Sequence, residues 1–251
     1  MTLGAWAGMA ATSFVAALLQ ATNGFGFAVL AVPFFLLFTP PGETVQIILV
    51  LSLAMSAVVV PGVCREIEPA LLTRLTFGSF LGLPLGLLGF AYSNPAIVRA
   101  AVGAVIVAFA AMLGENRLRG RHAVIALRPA GDLAAGAVAG AATALVGMSG
   151  PPVLIYLMLA GAPAPTVRAT LLSFFALIYA ATVAANALFF GMPGGVWIAA
   201  ASLVPFAWIG GLLGLKLGDR LDPRLAAALA IGLLAVSGLY TLAVAARGTL
   251  W

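Results

Sequence analysis

The sequence predicts an all-α integral membrane protein that forms a single membrane domain over residues 1–251. Of its 251 residues, 63% are hydrophobic and only 8% are charged, and the mean hydropathy is +1.17, whereas soluble domains carry about 25% charged residues. Apolar runs long enough to cross about 30 Å of hydrocarbon recur along the whole chain. Two of these runs are interrupted at corresponding places. This pattern predicts two inverted repeats, each a re-entrant broken-helix hairpin plus three transmembrane helices, or about eight hydrophobic segments in all.

The first broken run covers residues 3–38 and is interrupted at 23–27, where the sequence reads Asn-Gly-Phe-Gly-Phe. A continuous helix of that length would measure about 54 Å, which is too long for one crossing. Its second arm, residues 28–38, would reach only about 16 Å and therefore fits a re-entrant arm. Irregular backbone inside a membrane is tolerated only where protein or a water-filled cavity surrounds it. We therefore expect this break to lie in the interior of the bundle.

Three spanning helices are predicted after the first broken run, at about 44–63, 71–91 and 97–114. Residues 115–129 form the most polar segment, and we interpret them as a cytoplasmic linker. The linker separates repeat 1, about 1–114, from repeat 2, about 130–251.

The second half follows the same plan. Its broken run covers about 131–160 and is interrupted at 146–152, Val-Gly-Met-Ser-Gly-Pro-Pro. Prolines cannot continue a preceding helix but can open a new one. Two half-length helices should therefore meet here, with unwound backbone between them. Spanning helices are predicted to follow at about 165–190, 195–215 and 224–246.

Four local matches in the same order support a duplication. Their offsets are 123, 122, 125 and 128 residues, as expected for one repeat with small insertions. They pair Gly24 with Gly147, 44–45 with 166–167, 86–89 with 211–214, and Pro95 with Pro223.

The basic residues indicate the orientation. If each broken run crossed the membrane once, the twelve Lys and Arg residues would divide seven against five between the two faces. If each run is instead a hairpin that returns to its starting side, ten lie on one face and only Arg99 and Arg247 on the other. The positive-inside rule favours the second arrangement. The second repeat is then inverted, the hairpins enter from opposite faces, and both termini are extracytoplasmic.

Composition and residue chemistry argue against two other classes of protein. The basic residues lie in short loops, so the net charge of +5 sets orientation and does not indicate nucleic-acid binding. For an enzyme, we find no Asp or Glu within an apolar core and no His pair or Cys cluster that would hold a metal. Ser149 would lack an evident base as a nucleophile, and the single cysteine, Cys64, excludes an intramolecular disulfide. We therefore expect neither catalysis nor a cofactor.

Several motifs together resemble one known family. They are the glycine-rich break in each half, Pro-Thr-Val-Arg-Ala-Thr-Leu-Leu-Ser at 165–173, and Gly-Gly-Leu-Leu-Gly-Leu-Lys-Leu-Gly-Asp-Arg-Leu-Asp-Pro-Arg-Leu at 210–225. This ordered set is similar to the sulfite exporter TauE/SafE family, including its 4-toluene sulfonate uptake permeases, and the resemblance covers essentially the whole chain. It implies a multi-pass permease of the bacterial inner membrane for sulfite, sulfonates and related small anions. Family members often carry denser glycine clusters at the breaks than this chain does. This difference bears on the identity of the substrate more than on the fold.

The two breaks are the predicted binding site. A helix N-terminus presents free N–H groups and a positive dipole end, which suit an anion. Arg168 begins the helix after the second hairpin and would attract an anion, although a snorkelling interfacial arginine would look the same in sequence. The glycines would alternatively serve only close helix packing. The predicted substrate-binding residues are Gln20, Asn23, Gly24, Phe25, Gly26, Gln46, Gly147, Met148, Ser149, Gly150, Pro151, Arg168, Thr170 and Ser173.

We therefore expect a permease that moves a small anion by alternating access, with two repeats rocking about a midplane site. An uncoupled anion channel or uniporter is the main alternative, and a non-transporting membrane scaffold subunit is a further one. The partners implied are the anion and the lipid bilayer. A proton or sodium ion as coupling ion and a homodimer are both compatible with this sequence.

Overall fold

The structure, a computed structural model, describes residues 2–92, 94–119, 126–218 and 232. Within these residues the secondary structure is helical, without strands. Two 3₁₀ turns, Val60–Gly62 and Cys64–Glu66, connect the third and fourth helices. The α-helices are α1 Leu3–Asn23, α2 Phe27–Phe35, α3 Pro41–Val59, α4 Pro69–Tyr92, α5 Pro95–Arg119, α6 Pro129–Val146, α7 Gly150–Leu159, α8 Ala164–Phe189 and α9 Gly194–Gly218.

Six helices of the described chain are long and apolar enough to cross a membrane: α1, α3 with its 3₁₀ extension, α4, α6, α8 and α9. The protein is therefore a multi-pass membrane protein. On α4 and α9, large apolar side chains such as Phe80, Leu85 and Ile198 are exposed on the outside of the bundle. These side chains point away from the neighbouring helices, so in a membrane they would contact lipid.

Both predicted breaks are found at the expected residues. Helix α1 ends at Asn23 and α2 begins at Phe27, while α6 ends at Val146 and α7 begins at Gly150. The other helices described lie within a few residues of their predicted bounds, and the predicted helix at 224–246 lies outside the described residues.

The prediction of two half-length helices at the second break is wrong for its first arm, α6, which is nearly as long as α1. Helix α1 has 21 residues and would measure about 32 Å, and α6 has 18 residues and would measure about 27 Å. Both are close to the thickness of the hydrocarbon core. Only the second arms are short, with 9 residues in α2 and 10 in α7.

Each short arm folds back along its long arm. A Cβ atom on Gly8, near the start of α1, would lie 3.3 Å from the ring of Phe38, just after α2. In the second run, the hydroxyl of Tyr156 on α7 donates to Asp132 in the first turn of α6 at 2.7 Å. Contacts between the start of one arm and the end of the next show that both broken runs are hairpins.

Glycines on α4 allow an unusually close approach to α6. A Cβ atom on Gly78, Gly82 or Gly86 would overlap the backbone carbonyl of Leu133, Ala137 or Ala141, respectively. Small residues at such spacing let helix backbones touch within a membrane. Because residue numbers rise together along both helices, α4 and α6 run in the same direction.

Helices α1 and α9 form a second pair of the same kind. Cβ atoms on Gly210 and Gly214 of α9 would meet the carbonyl oxygens of Phe14 and Leu18 of α1. Near the start of α1, the Trp6 indole donates to Ser202 at 3.1 Å, so this pair is also parallel. The long arm of each hairpin thus packs against a helix from the other half of the chain.

Helices α3 and α8 form the centre of the bundle. They carry most of the largest buried side chains, among them Tyr179, Phe174, Phe175, Ile47 and Met55. Both hairpin breaks pack against this central pair, as the contacts of their glycines show.

Candidate functional site

The first break is built from two glycines in the left-handed region. Gly24 has a φ of 84° and caps α1, and its N–H donates to the Gln20 carbonyl at 2.7 Å. Gly26 has a φ of 119° and precedes α2. Residues with a Cβ rarely adopt this backbone conformation, so the local sequence explains why the helix stops and restarts here.

The second break uses one left-handed glycine and two prolines. Gly147 has a φ of 75°, and its N–H donates to the Thr143 carbonyl at 2.9 Å. Pro151 and Pro152 then occupy the first turn of α7. Neither proline has an N–H group, so the first turn of α7 offers fewer donors than an ordinary helix N-terminus.

The two breaks touch each other. A Cβ atom on Gly150 would lie 4.0 Å from the Cβ of Phe25 and 3.3 Å from the ring of Phe175 on α8. Met148, two residues before Gly150, is also buried. The structure therefore brings Phe25 and Gly150, both predicted site residues, to one apolar junction in the interior.

The first break carries a group of buried nitrogen donors. The Gln20 side-chain oxygen accepts from the Phe27 N–H at 3.0 Å, which fixes the amide and leaves Gln20 Nε2 as a donor. Gln20 Nε2, Asn23 Nδ2 and Arg168 Nε are all buried and form no hydrogen bond among the described residues. Gln20 and Asn23 are three residues apart and share one face of α1. Such unpaired donors are rare in a protein interior, and all three are suited to an anion.

Arg168 lies directly against the first break. A Cβ atom on Gly24 would be 2.8 Å from the Arg168 Cα, and Arg168 Nη2 donates to the Ala21 carbonyl at 2.6 Å. The guanidinium thereby caps the C-terminal end of α1, where carbonyls lack helical partners. In the described part of the chain, no carboxylate pairs with Arg168. The Arg168 side chain is half-buried and is held against the end of α1.

The second break carries oxygen atoms in place of nitrogen donors. Ser149 on the break and Ser52 on α3 are both 0% exposed, and within the described ranges both hydroxyl oxygens are without a hydrogen-bond partner of good geometry. The hydroxyl of Tyr179 on α8 faces both serines. Three hydroxyl groups from three separate elements thus surround this break.

Other predicted site residues lie away from the breaks. The Gln46 side-chain amide donates to the Gly191 carbonyl at 3.0 Å. Gly191 follows the C-terminal end of α8, whereas Arg168 lies near the N-terminal end of that helix. Thr170 and Ser173 are buried with unpaired hydroxyls, but they lie two and five positions from Arg168. Residues at that spacing are on the other side of a helix, so the structure does not join them to the arginine.

Sequence reasoning missed the environment of Asp132. We expected no carboxylate in the apolar interior and placed Asp132 at a helix end, yet its side chain is only 1% exposed. Arg74 of α4 donates to it at 2.9 Å and Tyr156 of α7 at 2.7 Å. The position in the first turn of α6 was foreseeable, but the two partners are distant in sequence. These two hydrogen bonds to Asp132 connect both arms of the second hairpin with α4.

We predict that Asp132→Asn loosens this attachment. The substitution keeps the shape but removes the charge that Arg74 pairs with, and hydrogen bonds to charged groups contribute about 1.5–3 kcal/mol. Because Arg74 is 40% exposed, water would offset part of the loss. We expect a lower melting temperature for the purified protein in detergent. Glu43→Gln, at an exposed carboxylate in α3, is the control, and equal melting of the two variants would contradict the prediction.

In the described ranges, no group of three or more His, Cys, Asp or Glu side chains is placed to hold a metal ion. Cys64 is exposed with a free thiol. The polar groups at the breaks are therefore amides, hydroxyls and one guanidinium.

A family model, sulfite exporter TauE/SafE, matches residues 9–241. The match begins within α1 and includes both breaks, both close helix pairs and all fourteen predicted site residues. No curated protein and no solved structure matches the chain.

Proposed function

This chain belongs to the sulfite exporter TauE/SafE family, and from that premise we propose that it moves a small anion across the bacterial inner membrane. The proposed substrates are sulfite, a sulfonate or another sulfur-containing or organic anion. The anion would bind at the two helix breaks, and the protein would expose this site to each side of the membrane in turn.

The observation that carries this proposal is the group of unpaired donors at the first break. An oxyanion accepts hydrogen bonds from several directions, and Gln20, Asn23 and Arg168 would supply three N–H groups that form no hydrogen bond with any residue the structure describes. The N-terminus of α2 lies beside them and adds a positive dipole end. An arginine without a carboxylate partner makes the site selective for negative charge. These contacts favour a binding role for the break over a role in helix packing alone.

The helix directions support inverted repeats. Because α2 returns along α1, helix α3 starts on the face where α1 starts. Helix α4 then runs back: its Phe90 lies against Gly42 at the start of α3. Helix α6 is parallel to α4 and therefore opposite to α1. We propose that the two hairpins enter from opposite faces and, by the positive-inside rule, that both termini are extracytoplasmic.

The close helix pairs indicate which parts would move. Each hairpin is held against a helix of the other half, α1 against α9 and α6 against α4. Tight glycine contacts of this kind resist sliding, because packed interfaces are not continuously deformable. We propose that each moving unit is a hairpin with its partner helix, not one sequence repeat.

Alternating access fits the site better than an open channel. The second break is buried from Val146 to Pro151, and Phe25, Gly150 and Phe175 are in contact where the breaks meet. A channel would need a continuous opening through this apolar junction.

Counterflow in proteoliposomes tests the function directly. Vesicles containing purified protein are loaded with unlabelled sulfite and diluted into a trace of radiolabelled sulfite, and the same is done with toluene sulfonate. A carrier gives transient accumulation of label, whereas a channel lets the label equilibrate without accumulation. Absence of counterflow for sulfite and for sulfonates would contradict the proposal.

We predict that Gly147→Leu or Gly150→Leu abolishes transport while the protein still inserts into the membrane. Gly147 needs a left-handed backbone, which costs other residues about 1–3 kcal/mol. A side chain on Gly150 would push against Phe175, 3.3 Å away. The measurements are counterflow and the amount of protein in the membrane fraction. Gly191→Leu, at a left-handed glycine with open space around it, is matched for backbone strain and should retain transport. Normal transport by the first two variants would contradict the proposed site.

A further inference from the structure

The two breaks differ in chemistry in a way that the repeat symmetry does not explain. The first break presents buried nitrogen donors, and the second presents buried oxygen atoms. We propose that the second break is a binding site for a sodium ion, with Ser149, Ser52 and Tyr179 among its ligands. This inference rests on the proposed transport function only for the role of the ion, not for its binding.

The second break is poor in donors. Helix α7 begins with Gly150, Pro151 and Pro152, and the prolines remove two of the N–H groups that an anion would use at a helix N-terminus. An anion would thus find little here, in contrast to the first break.

The oxygen atoms are placed as ligands would be. Ser149 and Ser52 are 0% exposed, and in the part of the chain that the structure describes their hydroxyl oxygens have no hydrogen-bond partner of good geometry. The Tyr179 hydroxyl, which faces them, comes from a third element. The two buried serine hydroxyls call for an explanation, and a hard cation bound through their oxygens, with the Tyr179 hydroxyl beside them, would supply one.

The end of α6 adds backbone carbonyls to this set. The N–H groups of Gly147 and Met148 donate to the carbonyls of Thr143 and Ala142, respectively. The carbonyl groups of residues 144–146 are then without an intrahelical partner. The C-terminus of a helix is also its negative dipole end. In transporters with broken helices, unwound carbonyls and helix C-terminal ends are the groups that coordinate sodium.

The ligand chemistry selects a monovalent ion. Divalent Ca²⁺ and Mg²⁺ sites usually include carboxylates, and in the part of the chain that the structure describes the buried Asp132 is committed to Arg74 and Tyr156. A proton would need a group that titrates near neutral pH, and serine and tyrosine hydroxyls do not. Neutral oxygens at a buried position therefore suit Na⁺. With Phe25 of the first break next to Gly150 of the second, a cation here would favour an anion at the neighbouring site.

Direct binding of ²²Na⁺ to the purified full-length protein, without any anion, tests the site. We expect saturable binding that excess NaCl displaces and choline chloride does not. Ser149→Ala and Tyr179→Phe should each raise the half-saturating Na⁺ concentration by about tenfold or more, as loss of a metal-site group commonly does. Ser13→Ala is the control, because Ser13 is also a fully buried serine but donates to its own helix at Met9. Melting curves of each variant verify that it is folded, and if Ser149→Ala is unfolded, Tyr179→Phe alone decides.

The same vesicles separate this inference from the proposed function. Uptake of labelled sulfite driven by an inward Na⁺ gradient should be at least about tenfold faster than uptake in choline, since coupling energies of 1–3 kcal/mol correspond to about 5–150-fold effects. Counterflow that is equal in sodium and choline, together with no saturable ²²Na⁺ binding, would overturn the sodium site and leave the anion transporter intact. Saturable ²²Na⁺ binding without counterflow of any sulfur anion would support the site and overturn the function.

Discussion

Replacing Arg168 by glutamine is expected to lower the rate of anion uptake by about tenfold to a hundredfold, the equivalent of the 1.5–3 kcal/mol that a charged hydrogen bond contributes. Arg168 is the guanidinium that lies against Gly24 and donates to the Ala21 carbonyl with its Nε unpaired. Glutamine removes the positive charge but keeps a polar side chain. It is also the residue at the corresponding place in the first half, Gln46, so the change makes the halves more alike.

The expected loss should appear as a higher half-saturating anion concentration, because the charge acts in binding. Arg65→Gln is the matched control: it removes one positive charge from an exposed position in the turn after α3. Initial uptake rates over a range of sulfite or sulfonate concentrations distinguish the two. If both variants transport like the unaltered protein, Arg168 is a capping residue for α1 and the anion binds elsewhere.

The largest effect on stability is expected from Gly82→Val. A Cβ atom at this position would overlap the carbonyl of Ala137, in the middle of the contact between α4 and α6. The two clashing atoms are a Cβ, which is fixed by the backbone, and a backbone carbonyl oxygen. Rotation of a side chain therefore cannot relieve the clash. Overpacking a well-packed interior costs about 1–3 kcal/mol and sometimes more, and we expect the upper part of that range or beyond.

Gly89→Val on the same helix is the comparison, because its Cβ would meet only the end of the Leu145 side chain, at 3.1 Å. Purified yield and the melting temperature in detergent report the difference. We expect Gly82→Val to give little folded protein and Gly89→Val to melt within a few degrees of the unaltered chain. Similar melting of the two variants would mean that the helices are not packed as closely as described.

The breaks could be predicted from the sequence because their cause is local. Gly24, Gly26 and Gly147 adopt left-handed backbone, and Pro151 opens a helix, so a few neighbouring residues determine where each helix stops. The family could be predicted for a similar reason, since its motifs lie in short continuous segments. The match over residues 9–241 confirms that assignment.

The length of α6 could not be predicted in the same way. Its alanine- and glycine-rich sequence carries no marker that distinguishes a half-length arm from a helix long enough to cross the membrane. The sodium-site hydroxyls were missed as a group for a related reason. Ser52 and Tyr179 come from helices more than a hundred residues apart in sequence, and Tyr179 by itself resembles any aromatic core residue.

The close pairing of α1 with α9 and of α6 with α4 also bears on how such a chain can arise or be divided. Neither half covers its own glycine-lined groove: the surface that Gly82 presents is filled only by a helix beyond the linker. Cutting the chain between residues 119 and 126 would thus yield two fragments that must meet in the bilayer before either is complete. If the halves are inverted repeats as proposed, a precursor gene coding for a single half would have needed two copies of its product, inserted in opposite orientations, to close the same grooves.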